Sequence, residues 1–140
     1  MKNNKPIFKV IIAGSRQFYD YSLLKEKCLK ILSDELKDCD IQIICGCARG
    51  TDTIGKQFAE ELGLKVLEYP ADWKKYGKSA GYRRNKEMAK VADALIAFWD
   101  GESRGTKHMI DLAKEYGLPT RIIYYKKYIH SKKKKTTITI

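Results

Sequence analysis

Five short apolar blocks, at residues 7–13, 41–45, 64–69, 93–99 and 119–125, punctuate the chain, and longer amphipathic stretches separate them. The blocks are rich in β-branched and aromatic residues and stop at turn formers such as Gly14, Gly46 and Pro70. Runs of that length and composition predict strands. Between them the period changes. Over residues 20–37, Leu24, Cys28, Ile31, Leu32 and Leu36 fall on one stripe with lysines opposite, which predicts one helix. Thr51 or Asp52 is placed to cap a second, whose inner face is Ile54, Phe58, Ala59 and Leu62 and whose end is Gly63. A loop over 71–79 leads into a third helix at 80–91. A fourth helix, at 105–116, stops at Gly117.

Strand and helix alternate strictly, and the strands are nearly continuous in apolar residues. A strand apolar on both sides is covered on both faces. The prediction is therefore an α/β fold: a doubly wound parallel sheet of five strands with helices on both faces, three layers deep as α/β/α. No repeat or linker divides the chain, and 140 residues suffice for one core. Residues 1–125 are read as that single domain. Residues 126–140 form a basic tail, in which 136–140 is a candidate edge strand.

In a doubly wound sheet of order 3-2-1-4-5 the switch point lies between strands 1 and 4, and ligands bind in the crevice outside the carboxyl ends there. The loops leaving those strands carry Gly14, Ser15 and Arg16 in one case, and Gly101, Ser103, Gly105 and Thr106 in the other. The loop after strand 2, with Gly46, Arg49, Gly50 and Asp52, lies beside them at the same edge. Each loop combines glycine, arginine and a hydroxyl ahead of a helix start, a setting that presents backbone N–H groups to a phosphate. The three together predict one composite pocket for an anion or nucleotide.

Composition narrows the setting. An apolar fraction of 44% and a charged fraction of 32% exclude a disordered chain. No apolar stretch approaches the roughly 20 residues of a membrane span, and the first residues lack the apolar segment of a secretory signal, so a cytoplasmic protein without a membrane partner is expected. Cys28, Cys39, Cys45 and Cys47 read as free thiols behaving as small hydrophobes. The pair Cys45 and Cys47 is too closely spaced for structural zinc and has no second pair, so no metal and no resident cofactor are expected. The net charge of +11 shrinks to +2 once the nine lysines near the two ends (2, 5, 9, 126, 127 and 132–135) are set aside. Lys132 to Lys135 can hold a phosphate backbone, but such runs are more often solvated.

Each candidate has a plainer alternative. Ser103 and Thr106 also suit a simple helix cap, Arg16 a surface pair with Asp20, and Arg49 an internal pair with Asp52. Arg83 and Arg84, about 100° apart on a helix, cannot both face inward; one of them, with Asn85, faces the pocket. Trp73 and Tyr82 are either core or platforms for a base. For cleavage of an N-glycosidic bond, Asp52, Asp72, Asp100 and Glu102 are the loop carboxylates able to stabilise a sugar cation.

Gly14, Ser15, Arg16 and Phe18, then Gly46, Ala48, Arg49, Gly50 and Asp52, then Trp73, Gly77, Lys78, Ala80, Gly81, Arg84, Asn85 and Met88, and finally Phe98 through Gly101, Ser103, Gly105 and Thr106, stand in the order of a known family. The chain resembles the YspA-type, cpYpsA-related branch of the SLOG superfamily from about residue 9 to residue 119. The resemblance implies a Rossmann-like fold and a role in binding or processing nucleotide-derived molecules. It brings alternatives from relatives. One is N-glycoside hydrolysis of a nucleoside monophosphate or ADP-ribose-like substrate, as in the Lonely Guy phosphoribohydrolases. Another is single-stranded nucleic-acid binding, as in the DNA-processing protein A group. Oligomeric state stays open, with a homodimer as one candidate suggested by relatives that dimerise and by the exposed helix faces. Lonely Guy enzymes carry a catalytic glutamate after a Gly-Thr pair and two intervening residues, where this chain, after Gly105, Thr106, Lys107 and His108, places Met109. Methionine supplies neither charge nor base. Phosphate binding survives that change; the Lonely Guy mechanism needs another carboxylate.

Overall fold

The computed structural model describes residues 5–127, and Lys132 to Lys135 and the candidate edge strand at 136–140 lie outside the described residues. Its five strands are β1 (Ile7–Gly14), β2 (Asp40–Cys45), β3 (Lys65–Glu68), β4 (Ala94–Trp99) and β5 (Thr120–Tyr124). All neighbouring pairs are parallel, as the alternation of elements predicts, and the order is β3-β2-β1-β4-β5, the doubly wound order expected.

Side chains leave a strand to opposite faces in turn, and both faces of β1 are dry. Val10 and Ile12 join a core with Ile43, Ile96, Leu24 and Phe58 on one side, while Ile11 joins Ile44, Leu95, Met88 and Met109 on the other. The first layer is supplied by α1 (Tyr21–Ile31) and α3 (Thr51–Leu62), the second by α5 (Ala80–Val91) and α6 (Arg104–Glu115). Each fully buried Leu, Ile or Phe contributes about 2 kcal/mol in these layers.

Three local expectations are corrected. The helix read over 20–37 is two: α1 ends at Leu32, and α2 (Ser33–Asp38) follows. Ser33, Asp34 and Glu35 are better first-turn residues than interior ones, so the chain bends there before entering β2. Asp20 caps α1, its Oδ1 accepting the Leu23 N–H at 3.1 Å. Neither Thr51 nor Asp52 caps α3; that position belongs to Gly50, at φ 70° and ψ −119°, where a Cβ would run into the Arg16 carbonyl. The loop over 71–79 contains a single helical turn, α4 (Trp73–Tyr76), capped by Asp72 and continued by a 3₁₀ turn. No helix among the described residues is long and apolar enough to cross a membrane.

Candidate functional site

The carboxyl ends of β1 and β4 are paired up to Gly14 and Phe98, and the ladder extends one bond further, from the Ser15 N–H to the Phe98 carbonyl at 3.0 Å. This extra bond holds Ser15, only 2% exposed, directly against the loop that follows β4. Its Oγ accepts the Asp100 N–H at 3.2 Å and lies 3.1 Å from the Ser103 Oγ, which is 3.4 Å from the Thr106 Oγ1. Three hydroxyls, two from loops and one from the first turn of α6, thus stand in a row at the mouth of that helix.

The Asp100 carboxylate organises that row from behind. Its Oδ1 accepts the N–H groups of Glu102 and Ser103, both at 2.8 Å, and the Ser103 hydroxyl at 3.0 Å. Burial alone would raise this carboxyl, but those donors outweigh it and hold Asp100 below its ordinary range. Trp99 adds a bond from Nε1 to the Ser103 carbonyl at 3.1 Å. Ser103 sits at the cap position without a side-chain cap bond, so its hydroxyl is not spent on the helix. The N–H groups of Gly105 and Thr106, in the first turn, have no partner within the helix.

The loop after β2 is tied to the first by Thr51, whose N–H and Oγ1 both donate to the Ser15 carbonyl, at 3.2 and 2.9 Å. Asp52 follows, 8% exposed, with the Ala48 N–H on its Oδ2 at 3.0 Å. Burial raises its carboxyl above the ordinary carboxylate value, and the Ala48 N–H and the charges of Arg84 and Arg16 offset only part of that. Arg84 reaches over from α5. Its Nη1 donates to the carbonyls of Gly46 and, at 3.5 Å, Tyr69, and its Nε donates to the Asn85 Oδ1 at 2.9 Å. Gly46 is required for this: a Cβ there would lie 2.7 Å from the Arg84 Nη1 and 3.0 Å from the Asp52 carboxylate. Asn85 then bridges to α6, its Nδ2 donating to the Gly105 carbonyl at 3.4 Å and to the His108 Nδ1 at 3.1 Å.

These groups surround a cleft of about 280 Å³. Of the sequence candidates, Gly14, Ser15, Arg16, Asp52, Arg84 and Asn85 line it, as do Ser103, Gly105 and Thr106. Arg83 instead turns outward, its guanidinium 4.4 Å above the Tyr76 ring. Met109 is buried at the cleft floor, at the place the resemblance marks for a glutamate.

Other candidates fall elsewhere. Arg49 is exposed and lines an adjoining cleft with Gly46, and it is Arg84, not Arg49, whose charge acts on Asp52. Gly50 and Gly101 shape turns, with φ 70° and 85°, and do not line the first cleft. Among the carboxylates, Asp72 caps α4, Asp100 is bound to its own loop, and Glu102 faces Lys126 at 3.8 Å; only Asp52 lines the cleft. Trp73 and Tyr82 are about half exposed, not core. Cys47 is exposed at φ 63°, unlike the buried Cys28 and Cys45.

Sequence reasoning missed Gln17, Ala48 and Met88 in the lining, and His108 as the partner of Asn85. Helical spacing carried the signal for His108, which lies one turn beyond Gly105 on the same face.

Comparison with known proteins accords with this architecture. A family model described as YAcAr, the YspA, cpYpsA-related SLOG family, matches residues 8–76. That span carries the first two loops and Trp73. The Gene 61 protein of Mycobacterium phage D29 is 35% identical over 119 residues, 79% of this chain and 92% of the relative. The X-ray structure of TM1055, a structural-genomics target, has the same fold at a TM-score of 0.56 and 19% identity, covering 83% of this chain and 72% of that one. With β1 to α4 inside the family match and a relative covered almost end to end, the chain belongs to the YspA, cpYpsA-related SLOG family.

Proposed function

We propose that this protein binds a nucleotide or nucleotide derivative, with the phosphate at the mouth of α6. The observation that carries this reading is the row of hydroxyls from Ser15, Ser103 and Thr106 beside the first N–H groups of that helix, with the exposed Arg16 on the same cleft. With the Ser103 proton held by Asp100, the Ser15 and Thr106 hydroxyls and the helix N–H groups offer donors on one side and Arg16 a cation on the other, the requirement for a phosphate. Asp52, Arg84 and Asn85 then face the sugar and base. Isothermal titration with 5′-mononucleotides tests it: Arg16→Ala and Thr106→Ala each weaken binding about tenfold. Unchanged affinity in both variants refutes the assignment.

Asp52 favours a second reading, hydrolysis of the N-glycosidic bond. Water adds its hydroxyl to the anomeric carbon as the C–N bond breaks, and its remaining proton goes to the departing base. A carboxyl raised by burial is suited to hold or donate that proton. Chromatography for free base after incubation with nucleoside monophosphates decides it. Release above blank that is lost in Asp52→Asn supports hydrolysis, and absence of release leaves binding alone.

A further inference from the structure

The phosphate cleft, at about 280 Å³, falls just below the usual range of ligand pockets. It is not isolated. A second concavity, about 430 Å³, shares Arg16, Ala48 and Arg84 with it and continues past Arg49 to Trp73. A third, about 390 Å³, joins the second at Pro70 and Arg84 and runs along Arg83, Lys86 and Lys90. The three make a trough with Arg84 at each junction.

The walls of this trough are cationic. Arg16, Arg49, Arg83, Arg84, Lys86 and Lys90 line it against three carboxylates, Asp52, Asp72 and Glu87, a local excess of +3. Basicity is thus concentrated within the folded domain as well as at its ends. A row of cations on a groove fits a ligand with more than one phosphate.

Trp73 supplies the second requirement. It is 53% exposed, and the residue across from its ring is Gly81. The neighbouring aromatics are already engaged: Tyr76 lies under Arg83, and Tyr82 meets the edge of His108 at 4.4 Å. Among the described residues Trp73 has neither a ring nor a cation upon it. An indole left open to water between cations is a platform for a base.

Building on the nucleotide reading, we infer that the ligand is phosphodiester-linked: a 5′-phosphorylated dinucleotide or the 5′ end of a single strand. Its terminal phosphate occupies the cleft at Ser15 and Thr106, its next phosphate lies between Arg16 and Arg49, and its second base stacks on Trp73. A mononucleotide fills only the first cleft. A single stacked base adds roughly tenfold or more in affinity.

The test measures affinities of the full chain for a 5′-mononucleotide, the matching 5′-phosphorylated dinucleotide, ADP-ribose and poly-glutamate. The dinucleotide is expected to bind at least tenfold tighter than the mononucleotide. Trp73→Ala removes that gain and leaves mononucleotide affinity within twofold, while Trp73→Phe restores most of it. Thermal melts confirm that the variants fold. Equal affinity for the two nucleotides, with mononucleotide binding still sensitive to Thr106→Ala, overturns this inference and spares the simpler reading. Binding of neither nucleotide overturns both. ADP-ribose bound as tightly as the dinucleotide through Trp73 replaces the phosphodiester with a pyrophosphate-linked ligand. Poly-glutamate competing as well as the dinucleotide reduces the trough to a general polyanion surface.

Discussion

Arg84 and Asn85 are hydrogen-bonded to each other, Nε to Oδ1 at 2.9 Å, although consecutive positions on a helix diverge by about 100°. Both side chains bend toward the same cleft, Arg84 continuing the connection to the loop after β2 and Asn85 to the first turn of α6. Arg84→Met cuts the link to Gly46 and Tyr69 and leaves their carbonyls short of a donor. A loss of about 1–3 kcal/mol is expected in chemical denaturation. Arg84→Lys does not recover it, because an ammonium cannot serve both directions of the fork.

His108 makes the structure sensitive to acid. The Asn85 amide can only donate from Nδ2, so the His108 Nδ1 accepts and the imidazole is neutral. Burial lowers its pKa below the ordinary histidine value, with Asp111 and Glu115 opposing. The unfolded chain then binds the proton more readily than the folded one, so stability falls as pH drops from about 6.5 through the lowered value. Melting temperature followed from pH 8 to pH 5 should decline more steeply in the wild type than in His108→Gln.

Asp52 has the opposite sign. Its folded carboxyl is raised, so ionisation costs stability at neutral pH and nothing below the ordinary carboxylate value. Asp52→Asn keeps an oxygen for the Ala48 N–H and removes the buried charge. The variant is expected to melt higher than wild type at pH 7, with the difference shrinking toward pH 3. An equal difference at both values would show that the charge is not the cause.

Gly105 separates stability from binding. It lies in the first turn of α6, and a Cβ there would meet nothing within 4 Å. Gly105→Ala should stabilise the free protein by about 0.5 kcal/mol through helix propensity. Gly105 lines the cleft proposed to hold the phosphate, so the added methyl should lower mononucleotide affinity at least tenfold, as read by titration.

The parallel, two-sided sheet and the strand ends are legible in the chain because they rest on local signals, and the doubly wound order then brings the loops together. Residues such as Val10 and Ile11, apolar on both faces, demand cover on both sides, and Gly14 and Gly46 stop the strands where they do. The pocket's internal wiring is not legible in that way. Arg84 finds Gly46 from 38 positions away, and nothing near Asp52 in sequence favours Arg84 over Arg49 as its neighbour. Four loop carboxylates look alike on paper; three are consumed by a cap, a turn and a surface pair, which depends on where each loop lands. The break at Leu32 escapes the hydrophobic stripe because Cys28 before it and Leu36 after it pack on the same core.

The double attachment of Thr51 to the Ser15 carbonyl has an evolutionary corollary. Two loops pinned through one oxygen cannot drift apart, so relatives that come to prefer different ligands must vary elsewhere. The freedom lies with the outward-facing Arg16, Arg49 and Trp73, whose replacement leaves the pinned pair undisturbed. Divergence among members of this lineage is expected to concentrate there.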